Sequence, residues 1–182
     1  GIGDYMGYTF AGTHTPFANE NGFGLSWPPT VRVSTVADAE NIMSKFATAA
    51  NRATARNGII ANHGGMLENM GACVAVNDML FQSHAGVLRF FPVWDAAKLG
   101  GAGFTTLRGY GAFLASASVS SAGVVSPITL VSEQGANCVV ESPWPTLSVM
   151  SAGKAVATTS AAAGIFKFGT AAGATYTLSK SA

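Results

Sequence analysis

Apolar residues along this chain change their spacing once, near residue 87. Upstream they recur at steps of three and four; downstream they fall into short runs of β-branched and aromatic residues. Between Thr35 and about Asn51, the residues Val36, Ala39, Ile42, Met43, Phe46, Ala49 and Ala50 predict a helix with one buried face. Ser34 or Thr35 can cap it, Asp38 and Glu40 lie where the helix dipole favours anions, and Arg52 and Arg56 follow near its end. A second helix is expected from about Glu68 to His84. Its apolar face would hold Met70, Cys73, Val74, Leu80 and Phe81, interrupted at Asn77, with His84 at the C-cap and Gly86 as a left-handed terminator. Two amphipathic helices cannot bury both faces alone, so this part of the chain calls for more helices.

Downstream, the runs VLRFF, GAFLASASV, VVSPITLVS, NCVVES, TLSVM, AVATT, GIFKF and TYTLS repeat about every ten residues. Ser-Ser-Ala-Gly, Glu-Gln-Gly-Ala and Ala-Ala-Gly separate them, and the pattern predicts an antiparallel β-sandwich. The Ala/Gly-rich stretch from Ser160 to Ala174 keeps Ile165, Phe166 and Phe168, which makes it strand and turn rather than a disordered tail. The fold class is therefore α+β, with a helical part over 1–86 and an all-β part over 87–182. Residues 1–30 have no sustained period and read as an ordered, irregular loop carrying Tyr5, Tyr8, Phe10, Phe17, Phe23 and Trp27. Such aromatics can stack on the apolar face of a sugar ring; packing against a neighbouring domain is their commoner use.

Charged residues make up only 10% of the chain, against about 25% in an ordinary soluble domain. Ten basic and nine acidic residues are scattered without runs, for a net charge of +1. Phosphate binding needs clustered Lys and Arg, so no nucleic-acid partner is expected. No stretch approaches the roughly 18 unbroken apolar residues of a membrane span, and the positive mean hydropathy comes from small residues and buried strands. The two cysteines, Cys73 and Cys138, lack the CxxC spacing of zinc or redox sites. One disulfide between helix and strand or two buried thiols would each fit, the second being the plainer reading. The chain opens on Gly1 without a charged-then-apolar leader, which fits a chain cut from a longer precursor.

Candidate chemistry is densest from Asn62 to Trp94, where Asn62, His63, Glu68, Asn69, Asp78 and His84 lie close in sequence. A carboxylate opening a helix after a Gly-Gly turn, as Glu68 does, can be held rigidly while amides and Asn side chains orient a water or a sugar hydroxyl. It can equally serve as the anion at a helix N-terminus. No HExxH or paired-His spacing occurs, so no metal or other cofactor is expected. Asp78 and Arg89 suit a structural salt bridge, and no Ser has the GxSxG setting of a nucleophile.

From Gly58 to Trp144 these motifs, in order, resemble the C-terminal part of glycoside hydrolase family 95, the inverting α-L-fucosidases and related α-galactosidases. The resemblance rests on Asn62-His63-Gly64-Gly65, on Glu68-Asn69, and on Asn77-Asp78-Met79-Leu80-Phe81-Gln82-Ser83-His84, similar to the family's N-E-M-L-L-Q-S-H. It continues through Val87-Leu88-Arg89-Phe90-Phe91-Pro92-Val93-Trp94, Leu107 to Leu114 (similar to L-R-A-x-G-A-F-L) and Glu141-Ser142-Pro143-Trp144. It implies the last helices of an (α/α)6 barrel followed by a C-terminal sandwich. It also implies cleavage of α-linked sugars by a Glu acid and an Asp base assisted by Asn residues, with a water between the carboxyls.

Two departures matter. The family's general acid and assisting Asn residues lie earlier in the barrel, outside this chain, and Ile60 stands where its base Asp would be. In relatives of the form G-G-x-x-E-N the nearest carboxylate is the one matched by Glu68. The expectation is thus a C-terminal piece of a secreted, extracellular or cell-surface glycoside hydrolase-like protein, inactive without a companion chain carrying the rest of the barrel. Glu68 would be its catalytic candidate, with Asn62, His63, Asn69 and Trp27 binding the carbohydrate. The alternative is a non-catalytic structural or carbohydrate-binding component of an extracellular assembly. A coat-like self-assembling β protein explains the composition but not the motifs.

Overall fold

The structure, a computed structural model, describes residues 27–53 and 66–181. The chain divides into two compact units after Met79.

The described part of the first unit is helical. Helix α1 spans Trp27–Val33, where the sequence reads as the end of a loop. Its two prolines, Pro28 and Pro29, explain both readings: they suggest a break, yet in a first helical turn the missing N–H groups would have had no intrahelical acceptor. A 3-10 turn, Val36–Asp38, leads into α2, Ala39–Ala53. The Asp38 carboxylate accepts from the Thr35 backbone N–H at 2.8 Å and the Thr35 hydroxyl at 3.0 Å, so the helix starts where capping chemistry predicts. Ala39 and Ile42 are buried as expected, whereas Val36 stays 45% exposed.

Helix α3, Met66–Leu80, corrects the expected stripe. Its buried positions Gly71, Ala75 and Met79 are four apart, while Met70, Cys73 and Val74, assigned to the buried face, are exposed. Small residues at 71 and 75 allow close packing, which composition counted by hydrophobicity alone does not register. The helix also ends four residues before His84. Phe81–Gln82 instead form β1, paired antiparallel with β2, Leu88–Phe90. The Phe81 ring there lies 5.3 Å from Phe90 and 5.6 Å from Phe104. Burying such a ring contributes about 1.5–3 kcal/mol, and the strand ladder replaces the helical hydrogen bonds it displaces. Gly86 does terminate, with φ +72° and its N–H on the Ser83 carbonyl at 3.0 Å, but it closes a β turn. His84 is exposed in that turn rather than capping a helix.

The second unit, from Leu80 onward, holds two sheets. After β2 comes a one-turn helix α4, Ala96–Leu99, and then β3 (Ala102–Gly109), β4 (Phe113–Val119), β5 (Ile128–Ser132), β6 (Cys138–Glu141), β7 (Leu147–Ser151), β8 (Lys154–Ala155), β9 (Thr159–Ala162), β10 (Ile165–Phe168) and β11 (Ala174–Lys180). The five-stranded sheet runs β1-β2-β6-β10-β9, and the six-stranded sheet β3-β4-β5-β11-β7-β8. Alternation decides the faces. Phe113, Ala115, Ala117 and Val119 of β4, with Ile128 and Leu130 of β5 and Tyr176 and Leu178 of β11, share one core with Phe81, Leu88, Phe90, Cys138, Val140 and Phe168 of the other sheet. This is a β-sandwich. One junction departs from the antiparallel expectation: β2 and β6 run parallel, since the chain crosses to the other sheet for β3–β5 between them.

Both cysteines are free, Cys138 buried and Cys73 exposed, so neither a disulfide nor a pair of buried thiols describes them. Asp78 bonds Arg32 at 2.7 Å, tying α3 to α1, and Arg89 bonds Glu141 at 2.8 Å. The expected Asp78–Arg89 pair is replaced because the β2–β6 register sets Arg89 beside Glu141. Among the described residues, no helix is long and apolar enough to cross a membrane.

Candidate functional site

Asn62 and His63 lie outside the described residues. Glu68 and Asn69 fall in the first turn of α3, as a carboxylate at a helix N-terminus would; their side chains are likewise outside the description. Trp27 opens α1 and is fully enclosed, its ring edge-on to Phe46 at a centroid distance of 5.5 Å. In that position the indole fastens α1 to α2. The Arg32–Asp78 pair and the Ser34 hydroxyl, which donates to the Thr30 carbonyl at 2.8 Å, complete the frame that carries α3.

Carboxylates decide what chemistry the rest of the chain can do. Asp38 is held by Thr35, Asp78 by Arg32 and Glu141 by Arg89, while Asp95 caps α4 by accepting from the backbone of Ala97 at 3.1 Å and Lys98 at 3.4 Å. Glu133 binds Arg108 through both carboxylate oxygens; that hydrogen bond holds the Glu133 carboxyl below its usual range and raises Arg108 in turn. A carboxylate committed to a guanidinium is a poor general base, since its proton affinity is lowered. Among the described residues no three His, Cys, Asp or Glu side chains gather to hold a metal ion. Burial pushes the Cys138 thiol up to about 12, which removes it as a nucleophile at neutral pH.

The structure adds one concave feature that the sequence pattern missed. An open depression of about 460 Å³ lies on the six-stranded sheet, lined by Gly103, Thr105, Ser116, Ser118, Pro127 and Thr129 among others. A β-bulge between Phe104 and Leu107 shapes it, with Thr106 at φ +58° donating its N–H to the Ser116 hydroxyl at 2.9 Å. In β4, Ser116 and Ser118 alternate with the buried Ala115, Ala117 and Val119, but nothing in the run Ala102–Gly109 announced the bulge. The lining mixes the hydroxyls of Thr105, Ser116, Ser118 and Thr129 with Gly103, Phe104, Ala117 and Pro127, and holds neither a nucleophile–base pair nor a charge, so it offers hydrogen bonds rather than acid–base chemistry. No protein-family model matches the chain, and no curated protein matches it.

Proposed function

We propose that this chain is the C-terminal part of a secreted or cell-surface glycoside hydrolase-like protein of the fucosidase type, and that it has no turnover alone. Helix α3, with Glu68 and Asn69 in its first turn, would form one wall of a site for an α-linked sugar, and a companion carrying the other barrel helices would supply the general acid. The observation carrying this reading is the apolar face of α3. Met70 is 59% and Val74 38% exposed, and with exposed Cys73 they occupy positions i, i+3 and i+4 just after the Glu68–Asn69 pair. A face of that spacing suits packing against a further helix.

The test is co-purification of the native material with intact-mass analysis, followed by release assays on aryl α-fucoside and α-galactoside. A companion bearing the rest of the barrel is expected, with hydrolysis lost on Glu68→Gln. Hydrolysis by the chain alone, or a stable chain that never has a companion, would sink the proposal. A second reading, a structural or carbohydrate-binding descendant without chemistry, is favoured by Ile60 at the base position and by the ion-paired carboxylates Asp78, Glu133 and Glu141. A companion with no turnover on either glycoside selects it.

A further inference from the structure

The depression on the six-stranded sheet plays no part in the hydrolase reading, and it exists because β3 carries one residue more than its partner strand. In the β3–β4 ladder Phe104 faces Ala117 and Leu107 faces Ala115, so Thr105 and Thr106 both stand against Ser116. The extra residue is strained. Among the described residues four other than glycine have positive φ, and Thr106, at +58°, is the one that is β-branched and the one inside a strand. The Ser116 hydroxyl holds it, accepting the Thr106 N–H at 2.9 Å and so keeping its own proton for another partner. Backbone strain of this kind gathers at binding sites.

Around the bulge the sheet presents hydroxyls and no charge. Thr129 lies between buried Ile128 and Leu130 of β5, directly opposite Ser116, and Thr105, Ser118 and the exposed Pro127 border the pair. Gly103, opposite Ser118, leaves a gap in this surface, since a Cβ there would come within 3.3 Å of the Ala117 carbonyl oxygen and of Ser118 Cβ. The volume of about 460 Å³ falls within the range of small-molecule sites, about 300–1,000 Å³. We propose that the depression binds a neutral saccharide. Each of its hydroxyls can both donate and accept, as sugar hydroxyls do, while Pro127 and the threonine methyls offer contact to sugar C–H groups. It is lined by no cation to neutralise a phosphate, sulfate or carboxylate, and by no anion to take an ammonium group. The Phe104 ring packs against Phe81, Phe90 and Phe91, so no aromatic platform backs the sugar and binding is weak, with Kd about 1 mM. The site stands on the second unit alone, whether or not the protein hydrolyses a glycoside.

Amide NMR spectra of the isotope-labelled full chain, titrated with L-fucose, D-galactose, maltotetraose and cellotetraose to about 10 mM, test this. At least one sugar should shift the amides of residues 103–106, 116–118 and 129 together and saturably, and tetragalacturonate should bind more weakly than that sugar. Thr129→Val keeps the side-chain shape without the hydroxyl and should weaken binding about five-fold. Ser118→Leu, which fills the depression from an exposed position, should abolish it. Deleting Thr106 restores a regular ladder with the same residues facing the core, and it should abolish binding with no loss of thermal stability. Tyr110→Ala, which removes an exposed aromatic just beyond the far end of β3, should leave binding unchanged. Hydrolysis is not read, so loss of this site and loss of the hydrolase reading are separate results. No saturable shift with any of the four sugars, shifts centred on Tyr110, preference for tetragalacturonate, or binding that survives either Ser118→Leu or the Thr106 deletion overturns the proposal.

Discussion

The two cysteines show how far environment separates chemically identical side chains. Cys138 faces inward from β6 and is fully enclosed, and its thiol is raised to about 12 by desolvation. Cys73 lies on the exposed side of α3. A thiol reagent at pH 8 should therefore modify one cysteine quickly, with the second reacting only as the sandwich opens. Two fast thiols in the native protein would contradict this placement. The raised value also fixes a pH dependence. The protonated thiol is favoured in the folded state, so its contribution is intact below the unfolded value of about 8.5 and is lost as pH rises from there toward 12. Between pH 8 and pH 10 the wild type should lose about 2 kcal/mol more than a Cys138→Ala variant, in which this linkage is absent. Parallel urea midpoints at the two pH values measure the difference, and equal losses would mean that the thiol is not desolvated.

At the scale of elements, hairpin closure is the most exposed to test. β7 and β8 are joined by Ala152 and Gly153, with Ser151 opposite Lys154 and φ +46° and +76° at the two turn residues. Two positive φ values in a two-residue loop make a type I′ turn, for which Asn-Gly is preferred because Asn tolerates the left-handed region and Ala does not. Ala152 is exposed, so its Cβ strain is offset by no packing. Ala152→Asn should raise stability by about 0.5–1 kcal/mol, read as a higher denaturant midpoint with an unchanged slope. A lower midpoint would mean that the turn has another geometry. Turns of this kind were legible as Gly-bearing punctuation, and Gly123, Gly135 and Gly173 all take positive φ where the strand runs break. The existence of α2 and α3 was legible too, from spacing and from the Thr35–Asp38 cap. The face of α3 was not, because hydrophobicity ranks Met70 and Val74 above Gly71 and Ala75, while burial here follows fit. Its end was hidden for a related reason: Phe81 satisfies a helical period locally, but its partners Phe90 and Phe104 are distant in sequence. The site itself was read from the run Asn62–Asn69 together with Trp27; among the described residues, Glu68 and Asn69 fall in the first turn of a helix that opens at Met66, and Trp27 is enclosed at the start of α1.

For the second unit as a whole, stability should grade across the sandwich from its middle to the open end of the smaller sheet. β5 lies between β4 and β11, and Leu130, fully buried, sits opposite both Ala115 and Tyr176. Its neighbours in the core come from both sheets, so its backbone opens only when the sandwich does. β9 has a partner on one side only, and none of its four side chains is buried. Native-state hydrogen exchange should therefore be slowest in β4, β5 and β11, with a shared opening energy, and fastest among the strands in β9. Leu130→Ala leaves a cavity that the surrounding strands cannot close, at a cost of about 2–5 kcal/mol, so exchange in the three central strands should accelerate together by about 30-fold or more. The same substitution should scarcely change β9, whose exchange proceeds through local opening. If β4, β5 and β11 responded by different amounts, the sandwich would not open as one cooperative body.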